Sequence, residues 1–251
     1  MTKKERDRVK IWFLLDRSGS MASVAEDVIG GFNYFLAEQA NQAGECRMTV
    51  VQFDSEDPFE VIAAGKRPGD VPELNDSVYQ PRSLTPLYDA MGRLIKRADD
   101  RIARRSKAEK PPEDQLVVVF TDGLENNSHR YDRPEVFELV KKRQDDGWTF
   151  VFMGANQDSY AEGDKVGLDD GNIQNYAADS DNVAMAYQSM NRATNQFRGK
   201  SHEQRIADKA DFFGGLKEAE LEMLRRKNRG TFPRPGPAFL LVPVGVSSRE
   251  A

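Results

Sequence analysis

The stretch VKIWFLLDRSGSM, Val9 to Met21, decides how the rest of the chain is read. Its first half is apolar without a break through Ile11-Trp12-Phe13-Leu14-Leu15, a run that suits a parallel strand covered by helices on both faces. Its second half, Asp16-Arg17-Ser18-Gly19-Ser20, alternates a carboxylate and two hydroxyls with an arginine and a glycine. A turn needs some of these residues, but it does not need that alternation.

RMTVVQFD (Arg47 to Asp54), QLVVVFTD (Gln115 to Asp122) and WTFVFMGA (Trp148 to Ala155) read as further strands, with NIQNYA (Asn172 to Ala177) as a weaker one. Between them apolar residues recur at helical spacing: Val24, Val28, Phe32, Phe35 and Leu36, then Leu87, Ala90, Met91, Leu94, Ile95, Ala98 and Ile102. A third helix is expected over Arg133 to Asp146, opened by Pro134 and closed at Gly147, and a fourth carries Val183, Tyr187, Met190, Thr194 and Phe197. This alternation predicts an α/β protein with a mostly parallel sheet. DPFEVIAAGK (Asp57 to Lys66) follows its predecessor too closely for a crossover helix, so it is expected as an antiparallel partner at the sheet edge.

Composition narrows the function. The 251 residues are 39% hydrophobic and 31% charged, with 41 acidic and 36 basic side chains and a net charge of −5. No global positive field argues for nucleic acid, and no apolar run is long enough to serve as a secretion signal or to span a membrane. Cys46 is the only cysteine and His129 and His202 the only histidines, which argues against zinc and for a reducing, cytoplasmic setting. Beyond Phe197 the chain turns polar, and prolines 233, 235, 237 and 243 then argue against helix. Residues 198–251 therefore read as an extension, whose apolar stretch Ala238 to Val242 either docks on a sheet edge or hangs loosely.

In an open parallel sheet, ligands bind beyond the carboxyl ends of the strands, where the strand order reverses. Asp16 and Asp122 both end strands expected side by side. Thr85, in SLTPLYDAM (Ser83 to Met91), lies just before Pro86 and the second helix, where a threonine reads either as a helix N-cap or as a further site residue. Together Asp16, Ser18, Ser20, Thr85 and Asp122 make an all-oxygen set with only two carboxylates, which suits Mg2+, or equally Mn2+, better than calcium or zinc. Alternate residues of the loop can face one centre, with Gly19 easing the bend.

These three elements, Asp-x-Ser-x-Ser, the threonine, and Thr121-Asp122-Gly123, resemble the von Willebrand factor A domain family and its metal-ion-dependent adhesion site over Arg8 to Phe197. The resemblance implies a Rossmann-like three-layer α/β/α sandwich whose six-stranded sheet has order 3-2-1-4-5-6 with strand 3 antiparallel. It also implies that the five oxygen residues hold a divalent ion, with an acidic side chain of a partner protein filling an open position and no catalysis. The expected member is a prokaryotic-type cytoplasmic adaptor or subunit, and such relatives often accompany AAA-type ATPases. In related adhesion domains a sliding last helix alters affinity; nothing in this sequence supports carrying that over.

The alternative is a metal-dependent hydrolase using the same site; Ser18, His129 and Asp122 would then have to act as a triad, yet no Gly-x-Ser-x-Gly elbow is present. The basic segments Arg101 to Lys107 and Leu224 to Gly230 are flanked by acids and read as solvated helix faces, with nucleic-acid binding the alternative. Arg17 is expected to be exposed, either solvated or meeting an acidic partner. Glu125 and Asn126 read as rim residues or as ordinary loop polar groups.

Overall fold

The β-branched and aromatic runs form six strands: β1 (Arg8–Asp16), β2 (Glu45–Phe53), β3 (Glu60–Lys66), β4 (Asp114–Thr121), β5 (Thr149–Ala155) and β6 (Ile173–Tyr176). They make one sheet of order β3-β2-β1-β4-β5-β6 in a computed structural model that describes residues 8–155, 159–215, 217, 220–222 and 225. Every neighbouring pair is parallel except β2 with β3, the short-linked edge hairpin, whose register is broken by bulge-like shifts between Met48 and Val51.

Side chains alternate across the sheet, and the two apolar faces become two cores. Ile11, Phe13 and Leu15 of β1 pack with α1 (Ala25–Asn41) and α5 (Ser180–Gly199), where Phe13 and Phe32 meet edge to face at 5.1 Å. Trp12 and Leu14 point the other way, toward α2 (Leu87–Lys107) and α3 (Arg133–Asp145). Both layers bury near-continuous apolar rows, which is why β1, β4 and β5 tolerate so few polar residues. α3 opens on a capping box between Asp132 and Glu135, with Pro134 in its first turn.

Two short helices were not expected from the sequence: α4 (Ser159–Lys165) and α6 (His202–Ala207). The packed body also continues past Phe197. Arg205 of α6 is 2% exposed and donates to Asp114 Oδ2 at 2.6 Å and to the Phe197 carbonyl at 2.8 Å, while Phe212 and Phe213 are buried in the α1/α5 core. The proline-rich stretch from 231 onward, with the proposed docking of Ala238 to Val242, lies outside the described residues. Among the described residues no helix is long and apolar enough to cross a membrane.

Candidate functional site

Adjacent parallel β1 and β4 end together, so Asp16 and the Thr121-Asp122 pair meet at one edge of the sheet. Asp16 is fully buried: its Oδ1 accepts the Ser18 N–H at 2.7 Å, and its Oδ2 accepts the Thr121 hydroxyl at 2.5 Å. The hydroxyls of Ser18 and Ser20 lie 3.0 Å apart, and Ser20 donates to Asp122 Oδ1 at 2.7 Å. Ser20 is exposed, whereas Ser18, Thr85 and Asp122 are nearly covered, so the cluster opens to solvent on one side.

Thr85 joins them from the loop before α2. A Cβ placed on Gly123 would sit 2.8 Å from Thr85 Oγ1 and 3.5 Å from both Asp16 Oδ2 and Ser20 Oγ. Oxygens from three separate stretches of chain thus surround one point, and only a glycine at 123 leaves it free. Gly19 acts by a different route from the one the sequence suggested. Its backbone lies close under the Ser83 carbonyl, which accepts its N–H at 3.0 Å, and a Cβ there would come within 3.3 Å of the same oxygen.

Thr85 is not the N-cap of α2. The helix begins at Leu87 after Pro86 with no side-chain cap of its own, and its first amides are satisfied from the β4–α3 loop. Glu125 accepts the Tyr88 N–H at 2.9 Å, and Ser128 accepts the Asp89 N–H at 3.0 Å. Asn126 Oδ1 accepts the Thr85 N–H at 2.8 Å. Glu125 and Asn126 therefore fasten the threonine loop, and the Thr85 hydroxyl, which has no hydrogen-bond partner among the described residues, faces the cluster.

Arg17 corrects the sequence reading too. It is 4% exposed and held between Asp54 and Glu60, so it cannot meet a partner. His129 lies exposed, with its backbone N–H on Asp89 and its ring bonded to neither Ser18 nor Asp122, so no relay is formed. Three supporting groups were missed from sequence. Thr121 orients Asp16, the Tyr79 hydroxyl donates to the Asp16 carbonyl at 2.6 Å, and the Tyr176 hydroxyl donates to the Thr121 carbonyl at 3.1 Å. The neighbouring Thr-Asp-Gly pattern was the only local signal for any of them.

Burial pushes the Asp16 carboxyl up to about 7, against the bonds from Thr121 and Ser18, and the nearby Asp122 adds to the rise. Burial raises Asp122 as well, opposed by its bond from Ser20. Two adjacent carboxylates that resist ionising together, beside an unpartnered hydroxyl and a cradle of oxygens, fit a hard divalent cation. Among the described residues no group of three or more His, Cys, Asp or Glu side chains is placed to hold a metal ion.

The sequence profile of the von Willebrand factor type A domain matches residues 10–197, and the chain belongs to that family. Its fold is shared with the manganese-loaded Plasmodium vivax TRAP protein, at 17% identity and TM-score 0.52 over 72% of each chain. A von Willebrand factor type A structure from Catenulispora acidiphila matches at 11% identity and TM-score 0.52, over 75% of this chain and 43% of the other. The pilus adhesin SpaC from Lactobacillus rhamnosus GG matches at 13% identity and TM-score 0.55, over 76% of this chain and 30% of that one. This chain therefore spans less than half of the latter two structures. No curated protein matches the sequence.

Proposed function

We propose that the chain is a divalent-metal-dependent protein-binding module with an intact metal-ion-dependent adhesion site. Asp16, Ser18, Ser20, Thr85 and Asp122 would hold Mg2+ or Mn2+. The ion, once bound, supplies an electrophilic centre that favours one more anionic oxygen, here a Glu or Asp carboxylate of a partner protein.

The observation that carries this reading is the open oxygen cradle at Gly123, with Thr85 Oγ1 unpartnered at its wall. Its surroundings support protein docking over a small ligand. Leu84 and Leu124, beside Thr85 and Gly123, are 47% and 43% exposed and are two of only four large hydrophobic side chains so exposed among the described residues. Apolar side chains around a polar centre are the ordinary make-up of a protein-binding patch. The manganese in the TRAP structure and the adhesive role named for SpaC are consistent with it. The single buried cysteine suits a reducing compartment, and we assign the module an intracellular adaptor or subunit role, with an AAA-type ATPase assembly as the family's association.

Affinity purification from the native host tests this, with magnesium, with chelator, and with the Asp122→Ala variant in magnesium. A partner retained by the wild type in magnesium alone supports the reading; equal capture in all three conditions ends it.

A further inference from the structure

We propose that the outer face of α2 is a second docking groove, which takes a short acidic segment of the protein partner. A groove of about 560 Å³ runs along this face, lined by Arg93, Lys96, Arg97, Arg104 and Arg130 with Phe59, Tyr131 and a single acid, Asp100. None of the five cations has an ion-pair partner among the described residues. Their neighbours on the same helix behave differently. Arg101 and Arg105 both close on Glu113, at 3.0 and 3.1 Å, so α2 separates arginines that staple the fold from cations left free on its outer side.

Free like charges repel one another, and a row of them gains only when an anion arrives. Arg93, Arg97 and Arg104 follow each other along the helix at rises of about 6 Å and then about 10 Å. Alternate side chains of an extended peptide are spaced by about 7 Å, close to the Arg93–Arg97 rise, so two outward carboxylates can meet those two guanidiniums, each a planar fork suited to carboxylate, while a later one reaches Arg104.

Charge and ring geometry choose among anions. The chain as a whole carries −5, so its surface away from this groove is more acidic still and repels a long polyanion extending beyond it. Single-stranded nucleic acid needs free aromatic faces on which bases can stack. Here the Arg93 guanidinium lies over the Phe59 ring at 4.9 Å, and Tyr131 packs onto α2 so tightly that a Cβ on Gly92 would come within 2.6 Å of its ring. Both rings serve as walls. The β4–α3 loop that fastens Thr85 also carries Arg130 and Tyr131, whose backbone N–H groups bond Asp89 in the first turn of α2, so one loop contributes to both the oxygen cluster's surroundings and the groove. The partner named here is that of the protein-binding reading, on which this inference rests, but the groove itself requires no metal.

The test uses the full chain and a fluorescein-labelled octaglutamate peptide, followed by anisotropy at low salt in chelator and then in magnesium. Binding should persist in chelator and fall as salt shortens the Debye length. The combined exposed substitutions Arg97→Ala and Arg104→Ala should weaken it about tenfold, with thermal melting confirming that the variant is folded. Unaltered affinity in that variant overturns the groove. Binding seen only in magnesium and lost in Asp122→Ala overturns it as well, while leaving the metal reading standing. Binding in chelator with no added effect of magnesium supports the groove and counts against the metal reading. An octathymidylate strand bound more tightly than the peptide would make the groove a nucleic-acid site and refute the acidic-segment proposal.

Discussion

Arg17 Nε donates to Asp54 Oδ2 at 2.7 Å, and both side chains are almost wholly buried. Nη2 lies 2.6 Å from the same oxygen without hydrogen-bond alignment, Nη1 reaches Glu60 at 2.6 Å, and Arg82 approaches Asp54 from outside at 3.1 Å. Burial works against ionising Asp54, but the Asp57 amide and Arg17 outweigh it and hold the carboxyl below its usual range. The pair ties the loop after β1 to the loop after β2, immediately beside Asp16. Arg17→Ala would leave the buried Asp54 carboxylate with only Arg82 and the Glu56 and Asp57 amides, and should cost about 1.5–3 kcal/mol in denaturant unfolding. A loss under about 1 kcal/mol would show the ion pair to be dispensable.

Gly123→Ala puts a methyl into the point on which Thr85, Asp16 and Ser20 converge. Calorimetric Mg2+ or Mn2+ affinity should drop at least as far as in Ser20→Ala, whereas Ser23→Ala, exposed and outside the set, should bind normally. Thr121→Val removes the hydroxyl that orients Asp16 and should weaken the metal by about 10-fold to 100-fold. Retained affinity in Gly123→Ala would place the ion elsewhere.

Proton and metal compete for Asp16. Its carboxyl rises from 3.8 to about 7 in the folded metal-free chain, so folding binds a proton that the unfolded chain releases. This stabilising contribution is present at low pH and is lost as pH climbs from about 4 to about 7. In chelator, the thermal midpoint of the wild type should therefore fall relative to Asp16→Asn across that window. With magnesium the wild type should gain stability as pH rises past about 7, because a deprotonated site binds the cation. Parallel pH curves for the two proteins in chelator would rule out the shifted carboxyl.

Removing everything after Phe197 would strip away Arg205, Phe212 and Phe213, all buried on the body. Loss of aromatic cover of this kind costs about 3–5 kcal/mol, and Asp114 would lose its bond from Arg205. The truncated chain should melt at a markedly lower temperature than one ending after residue 215; equal midpoints would show the segment to be ornamental.

The sheet was legible because β1, β2, β4 and β5 are apolar rows with few competing readings, and the short link before β3 forces a hairpin. α4 and α6 were not, since SYAEGDK and HEQRIA are brief, polar and without a visible stripe. The oxygen residues that converge at the candidate site could be picked out by their order in the segments after β1, before α2 and after β4. Their supports could not, because Tyr79 and Tyr176 reach them from far along the chain, and the cap on α2 comes from Glu125 and Ser128 instead of from a neighbour in sequence. Arg17 misled for a related reason: its partners Asp54 and Glu60 become visible only once β2 and β3 are folded beside β1.

One guanidinium ties the far ends of α1 and α5 together. Arg198, near the end of α5, donates to the Gln39 carbonyl at 2.6 Å and side chain at 3.0 Å, and to the carbonyls of Gln42, Ala43 and Gly44 at 3.0 to 3.3 Å. Midway along, Gly31 of α1 lies so near Tyr187 that a Cβ would overlap the ring. A one-turn slide of α5, about 5.4 Å, would break every one of these contacts at once. The two helices are latched near this end and again midway. On the proposed binding reading, what the oxygen cluster conveys would be carried by who is attached and for how long, in the manner of a clasp.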